Sequence, residues 1–476
     1  MKPVITLLAL LAAVPAFAQG NLERQVAAKL AEAPLGTRFG LVVASEDGKE
    51  IVAVNPDGRF IPASNTKMFT TAAAFLNLSG INEPDVAGGT AVRLDGRDVI
   101  LEGHGDARLS SADDCTVDCL ATLADAIAAK TRRVRNVIGD DTIYPDQRWS
   151  PGMSWNNIQT TSGTGISALT LDDNELALTV TPARPGETPK VEGWGYFTFD
   201  NRATTVPGAE TRVGYLREPN SKLLHIVGTI GAEAKPRLLK LGIDDPADYA
   251  AWRLKALLEA RGVKVIGTVS SRHRLPMPED DPEVRGATPP ARPPMQAPLA
   301  RLVPPPFAED LKHINKVSQN LHAELAYRRV AALKGTGSLA DGAVAVEAML
   351  TMAGVPRTAY DFSDGSGMSS YNRVAPRGVV TFLRWVAVQP WGAQWRETLP
   401  IAGVDGTLRS RFKGTPLEGK LFAKTGTLNA GNALAGYFTA ASGKTLVFAA
   451  YANDMPQDSS GTKYIDAALN LVAAAN

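Results

Sequence analysis

A serine is a weak nucleophile until a base takes its proton, and a lysine becomes such a base when burial or a neighbouring cation lowers its pKa. Ser64-Asn65-Thr66-Lys67 offers that pair: Pro62 precedes it, and the apolar, alanine-rich run Met68 to Leu78 that follows predicts a helix. Residues three apart share a helix face, so the Ser64 hydroxyl and the Lys67 amine can meet, and the helix N-terminus favours negative charge developing on Ser64. A chain of 476 residues contains about one S-x-x-K by accident, so this motif alone carries little weight.

Two further clusters suit the same chemistry. Ser318-Gln319-Asn320 lies inside Ala308 to Lys334, whose pattern predicts one continuous amphipathic helix; the bland account is two polar residues on its surface. Lys424-Thr425-Gly426-Thr427 ends the apolar run Leu421 to Ala423. Lys424 and Thr425 offer a cation and a hydroxyl to a carboxylate, and Gly426 admits close approach of a ligand to a strand. No rival set stands beside these three. The five histidines (His104, His225, His273, His313, His322) form no H-E-x-x-H, and no serine sits in a G-x-S-x-G elbow. Cys115 and Cys119 are four residues apart, either a small disulfide or two thiols; two ligands without a nearby histidine make no zinc site, so neither metal nor cofactor is expected.

The elements that must position these residues come from both ends of the chain. Arg38 to Ser45 and Glu50 to Asn55 flank Asp47-Gly48 as a hairpin, and Leu434 to Ala441 and Thr445 to Ala452 flank Ser442-Gly443 as another, followed by a helix from Tyr464 to Ala475. Strands at both termini with helices between predict one sheet built from the two ends. Between them, Gly80 to Pro306 has short strands, many Gly, Asp and Pro turns, and two predicted helices, Cys119 to Lys130 and Pro246 to Arg261. Prolines crowd Leu275 to Phe307, as in an extended return linker. The expected organisation is therefore a catalytic domain from residues 19–80 and 307–476, with residues 81–306 as an inserted β-rich region of one or two modules.

Fifty basic and 49 acidic residues leave no electrostatic footprint for nucleic acid. Residues 1–18, with the apolar run Val4 to Val14 before Ala16-Phe17-Ala18, read as an export signal, which sends the protein across the inner membrane to the periplasm. No later run is long enough to span a bilayer, and the last helix lacks the basic face of a membrane-surface anchor.

S-x-x-K, S-x-N and K-T-G in this order resemble the signature of the penicillin-recognising serine enzymes. The large insertion after Lys67 narrows the likeness to the low-molecular-mass class C penicillin-binding proteins, D-alanyl-D-alanine carboxypeptidase/endopeptidases of the DacB kind. Gly139-Asp140-Asp141-Thr142, Asp364-Gly365-Ser366-Gly367-Met368-Ser369 and the stretch Leu399 to Leu408 are similar to blocks of that family. The resemblance implies an α/β (α+β) transpeptidase-like domain, a five-stranded antiparallel sheet between helices, interrupted by the β-rich insertion. It implies Ser64 as acylated nucleophile, Lys67 as base, Ser318 as proton relay, Asn320 as orienter of Lys67 and substrate, and Lys424, Thr425 and Gly426 as the seat of the terminal carboxylate. The backbone NH groups of Ser64 and Thr427 would form the oxyanion hole. Peptidoglycan stem peptides would be substrates and β-lactams covalent inhibitors; oligomeric state and the balance between trimming and cross-link cutting have no signature here.

A β-lactamase would need a deacylation motif E-x-x-L-N, of which Asn174-Glu175-Leu176 is only a scrap, and an inert wall-binding protein would need no activated nucleophile. The chain also departs from the family it resembles. Relatives that prefer a free diaminopimelate side chain carry an acid after a W-x-W-x-D-like tryptophan and an arginine after S-G-x-S; the matching positions here hold Asn157 and Ser370.

Overall fold

The computed structural model describes residues 10–193, 195–288, 290, 296–429 and 431–476, with side chains from Gly20 onward. Residues 1–9 of the expected export signal, and residues 289 and 291–295 of the Pro-rich return, lie outside the described residues. Two compact units result: residues up to Ser79 with Asp310–Ala323 and Ala343–Asn476, and Gly80–Glu309 with Glu324–Gly342. Among the described residues no helix is long and apolar enough to cross a membrane.

In the first unit five antiparallel strands run in the order Glu50–Val54, Arg38–Ser45, Thr445–Asn453, Gly431–Thr439, Leu421–Leu428. The central strands Thr445–Asn453 and Gly431–Thr439 are buried along nearly their whole length, which an antiparallel sheet reaches only when both faces are covered. On one face Leu22, Val26 and Leu30 of the N-terminal helix and Ile465, Leu469 and Val472 of the helix Thr462–Ala475 pack with Val43, Phe438 and Phe448. Under the other lies the helix Pro376–Ala387, where the Tyr437 hydroxyl donates to the Leu383 carbonyl at 2.7 Å. Burial of this kind contributes about 1.5–3 kcal/mol for each large apolar side chain.

One sequence expectation is corrected. The stretch predicted as a single helix is two, Phe307–Val317 and Asn320–Ala331, with Ser318 between them at φ 66°. A left-handed residue cannot continue an α-helix, so the S-x-N motif occupies a break, and the break turns Ser318 toward Lys424.

The second unit is β-rich. Its main sheet has the order Val269–Arg274, Val137–Pro145, Asp98–Glu102, Ala91–Asp95, Ala300–Arg301, mixed parallel and antiparallel. The helices Leu120–Lys130 and Pro246–Ala260 cover it through Leu123, Ile127, Leu254 and Leu258. Two three-stranded sheets, among others, complete the unit. Residues 324–342 belong here as well: fully buried Arg328 donates to the side chain and to the carbonyl of Gln147, both at 2.7 Å. Cys115 and Cys119 form a disulfide with their Cα atoms 5.8 Å apart, resolving the alternative left open by sequence.

Candidate active site

Ser64 sits in a single 3-10 turn, Ala63–Asn65, that feeds the helix Thr66–Asn77. Ala63 before it has φ 47°, a conformation disfavoured for a residue with a Cβ. Neighbours enforce it. Ile61 N–H donates to Asn453 at 2.7 Å, and Gly367 approaches so closely that a Cβ there would run into the Ala63 carbonyl.

Lys67 is fully buried, and its Nζ lies 3.0 Å from Ser64 Oγ, 2.6 Å from Asn320 Oδ1 and 2.6 Å from the Ser366 carbonyl. The Ser366 carbonyl is held in turn by the loop around Asp364. That buried carboxylate accepts from Gly367 N–H at 2.9 Å, Ser369 N–H at 2.6 Å and Asn372 Nδ2 at 2.6 Å, while Thr70 donates to the Gly365 carbonyl at 2.6 Å. Beneath the lysine, Thr71 donates to the Lys67 carbonyl at 2.8 Å and accepts from Asn315 at 3.0 Å and from Trp395 Nε1 at 2.9 Å.

The strand Leu421–Leu428 forms the other wall. Fully buried Lys424 donates to Ser318 Oγ at 2.9 Å and to the Thr425 carbonyl at 3.1 Å. Burial first, then the Lys67 charge, drives its pKa well below that of a free lysine. Thr425 shares a hydroxyl contact of 2.8 Å with Thr407, and Thr427 accepts from Asn432 at 3.3 Å. Gly426 runs against the turn that carries Ser64, where a Cβ would meet the Pro62 carbonyl at 2.5 Å. Asn65 ties the walls together: its amide donates to the Lys424 carbonyl at 2.7 Å, and its oxygen accepts from Tyr451 at 3.2 Å. Lys316 braces the Ser318 turn through Asp405 at 2.6 Å and the Leu399 carbonyl at 2.7 Å.

All three predicted motifs thus converge within the first unit. Sequence reasoning gave no role to Asn65, Asp364, Ser366 or Thr71. The signals were that Asn65 lies inside S-x-x-K and that Asp364-Gly365-Ser366-Gly367-Met368-Ser369 is similar to a block of the family. Among the described residues no cluster could hold a metal ion, and the donors around Ser64 are amines, amides and carbonyls rather than metal ligands.

Comparison with known proteins supplies the family. The chain is similar to the D-alanyl-D-alanine carboxypeptidase of Actinomadura sp. (strain R39), 32% identical over 419 residues that cover 83% of this chain and 74% of the relative. It superposes on the crystal structure of penicillin binding protein 4 (dacB) from Haemophilus influenzae with a TM-score of 0.78, over 93% of this chain and 98% of that one at 23% identity. The Haemophilus protein complexed with a β-lactam superposes with a TM-score of 0.72 over 94% and 99% of the two chains at 22% identity, a likeness of fold. The profile of the D-Ala-D-Ala carboxypeptidase 3 (S13) family matches residues 22–476, and the chain belongs to that family of serine-type carboxypeptidases.

Proposed function

We propose that the protein hydrolyses D-alanyl-D-alanine ends and cross-links of peptidoglycan through an acyl-enzyme on Ser64, and that penicillins acylate the same oxygen. The observation that carries this reading is the 3.0 Å contact of Lys67 Nζ with Ser64 Oγ, beside the acceptors Asn320 Oδ1 and the Ser366 carbonyl. A neutral amine has two N–H bonds and one lone pair. Once Lys67 is neutral, its N–H bonds can go to acceptors such as Asn320 Oδ1 and the Ser366 carbonyl, and its lone pair can take the Ser64 proton across 3.0 Å.

Ser64 Oγ attacks the carbonyl carbon of the penultimate D-alanine while its proton passes to Lys67. The tetrahedral oxyanion is received by the backbone NH groups of Ser64 and Thr427, a pair of which each member contributes about 3 kcal/mol. Collapse breaks the amide bond, and the leaving amine takes a proton relayed from Lys67 through Ser318. Water, with Lys67 again as base, hydrolyses the ester and restores Ser64. Lys424 and Thr425 hold the terminal carboxylate, and Gly426 lets the substrate lie along the strand. The unit that carries these residues is the catalytic domain, and residues 1–18 direct it to the periplasm, where the substrate is.

The test is to incubate full-length protein and Ser64→Ala with labelled penicillin and locate the adduct by mass spectrometry. One stable adduct per chain, on Ser64, with loss of labelling and peptidase activity in Ser64→Ala, is expected. Rapid turnover of the label would make the protein a β-lactamase, and a label on another serine would sink the assignment.

A further inference from the structure

The second unit carries an open cavity of about 280 Å³ lined by Leu94, Gly96, Arg97, Thr131, Arg133 and Val134. One wall is the hairpin turn Asp95-Gly96-Arg97-Asp98, in which Gly96 has φ 60°; the other is the segment after the helix Leu120–Lys130. The Arg135 N–H joins them by donating to the Arg97 carbonyl at 2.7 Å.

The charges around the cavity are unevenly spent. Asp98 is taken by Arg135 at 2.6 Å, Asp125 by Arg261 at 2.5 Å and Asp95 by Arg93 at 3.4 Å. Arg97 and Arg133, by contrast, have no ion pair or side-chain hydrogen bond among the described residues. Lys264, opposite Arg133 in the parallel pair of short strands, also lacks an acidic partner among them. Two unpaired guanidinium groups lining one cavity are an arrangement for an oxyanion, which each can grip through two N–H bonds. The Leu94 and Val134 side chains give that cavity an apolar part as well. An amino-acid residue with a carboxylate and an alkyl arm satisfies both.

We propose that this cavity is a carboxylate-binding site at which the insertion holds the stem peptide of an uncleaved peptidoglycan strand, with Arg97 and Arg133 as its cationic walls. The proposal rests on the function given above, because only that reading supplies a carboxylate-bearing polymer. A second foothold on the same polymer raises the local concentration of cleavable ends without adding any contact at the reacting bond.

The test compares full-length protein with the Arg97→Ala, Arg133→Ala double variant in co-sedimentation with purified sacculi at low salt, and with sacculi whose carboxylates have been amidated. Both side chains are exposed, and matching thermal unfolding curves establish that the variant is folded. The double substitution is expected to weaken retention at least ten-fold, amidation to weaken wild type equally, and the two together to do no more than either. Unchanged retention of the double variant overturns the proposal, as does retention indifferent to amidation. So does a double variant that keeps its hold on sacculi but loses it on vesicles of phosphatidylglycerol, which would assign the cavity to a phosphate headgroup. Penicillin labelling is measured in parallel: its absence on Ser64 with sacculus binding intact would remove the proposed function and leave the carboxylate site standing.

Discussion

The amide of Asn65 donates to the carbonyl of Lys424 at 2.7 Å, so the residue after Ser64 is bonded to the main chain of the buried lysine on the opposite wall. Asn65 is fully buried, and its oxygen is occupied by Tyr451. Replacing it by alanine strands a buried carbonyl and a buried hydroxyl, each costing about 1–3 kcal/mol. Asn65→Ala is therefore expected to fold with reduced stability and to lose at least ten-fold in the second-order rate of acylation by penicillin. Stopped-flow acylation beside thermal unfolding checks it; an unaltered acylation rate in a destabilised protein would show that the tie is structural only.

The two buried lysines predict a ligand-dependent pH profile. Lys424 is driven toward its neutral form by burial and by the Lys67 charge. A carboxylate docked on Lys424 draws the proton to that amine and leaves Lys67 neutral, as a base must be. Acylation should rise with pH to a plateau. With a β-lactam whose carboxylate is esterified, the midpoint should move to higher pH, since nothing then recruits the charge to Lys424. Lys67→Arg, which cannot surrender its proton, should be nearly inactive. Identical midpoints for acid and ester would count against the coupling, and a Lys67→Arg variant with most of its rate would mean another base.

In the second unit His273 lies between two carboxylates, its Nδ1 2.9 Å from Asp141 and its Nε2 3.1 Å from Asp245, with Arg148 Nη2 3.0 Å from the same Nε2. Those hydrogen bonds outweigh its burial and raise its pKa from 6.5 to about 10. Burial alone would raise the Asp245 carboxyl, but the His273 hydrogen bond and the Arg148 charge overcome it and hold it at about 2. The signs differ. The imidazolium stabilises the fold fully below about 6.5 and loses that contribution as pH climbs through about 10; the carboxylate contributes above 3.8 and loses it as pH falls through about 2. Stability should therefore decline from neutral to alkaline pH by up to about 1.4 kcal/mol per pH unit through this group. His273→Gln should be destabilised by about 3 kcal/mol in mildly acidic buffer and by much less at high pH. Chemical denaturation across that range measures it, and a pH-independent difference between the two proteins would disprove the charged bridge.

What the sequence displayed and what it hid divide along a physical line. Ser64 with Lys67, and Lys424 with its strand, are local patterns of three or four residues, and local patterns fix which side chains share a face. The break at Ser318 was hidden because neither Gly nor Pro interrupts residues 308–334; a contact from Lys424, 106 residues further on, accompanies the left-handed turn. Asn65 was hidden for the same reason, its partner being 359 residues away. The Ser366 carbonyl is a main-chain group, which no residue type announces. Cys115 and Cys119 could be paired or free by spacing, and their 5.8 Å Cα separation is what admits the bond.

Substrate choice gives the last prediction. The positions where a clamp for a free diaminopimelate side chain would need an acid and an arginine hold Asn157 and Ser370. Of the charges that could stand in, Asp172, Asp173 and Arg373, Asp172 accepts from the Ser110 hydroxyl at 3.2 Å and the Ser111 hydroxyl at 2.6 Å, and Arg373 donates to the Asn372 and Ser370 carbonyls. A hydrogen bond to a charged group is worth about 1.5–3 kcal/mol, so the loss of even one such contact removes about ten-fold or more of a preference. Wild type is expected to cleave peptides ending in D-Ala-D-Ala with free and with amidated side chains at kcat/KM values within about ten-fold of each other. Asn157→Asp combined with Ser370→Arg should open a preference for the free side chain, visible as a change in the ratio of the two kcat/KM values rather than in either alone. Strong selectivity for the free side chain in the wild type would refute the idea, because some other pair of charges would then be supplying the clamp.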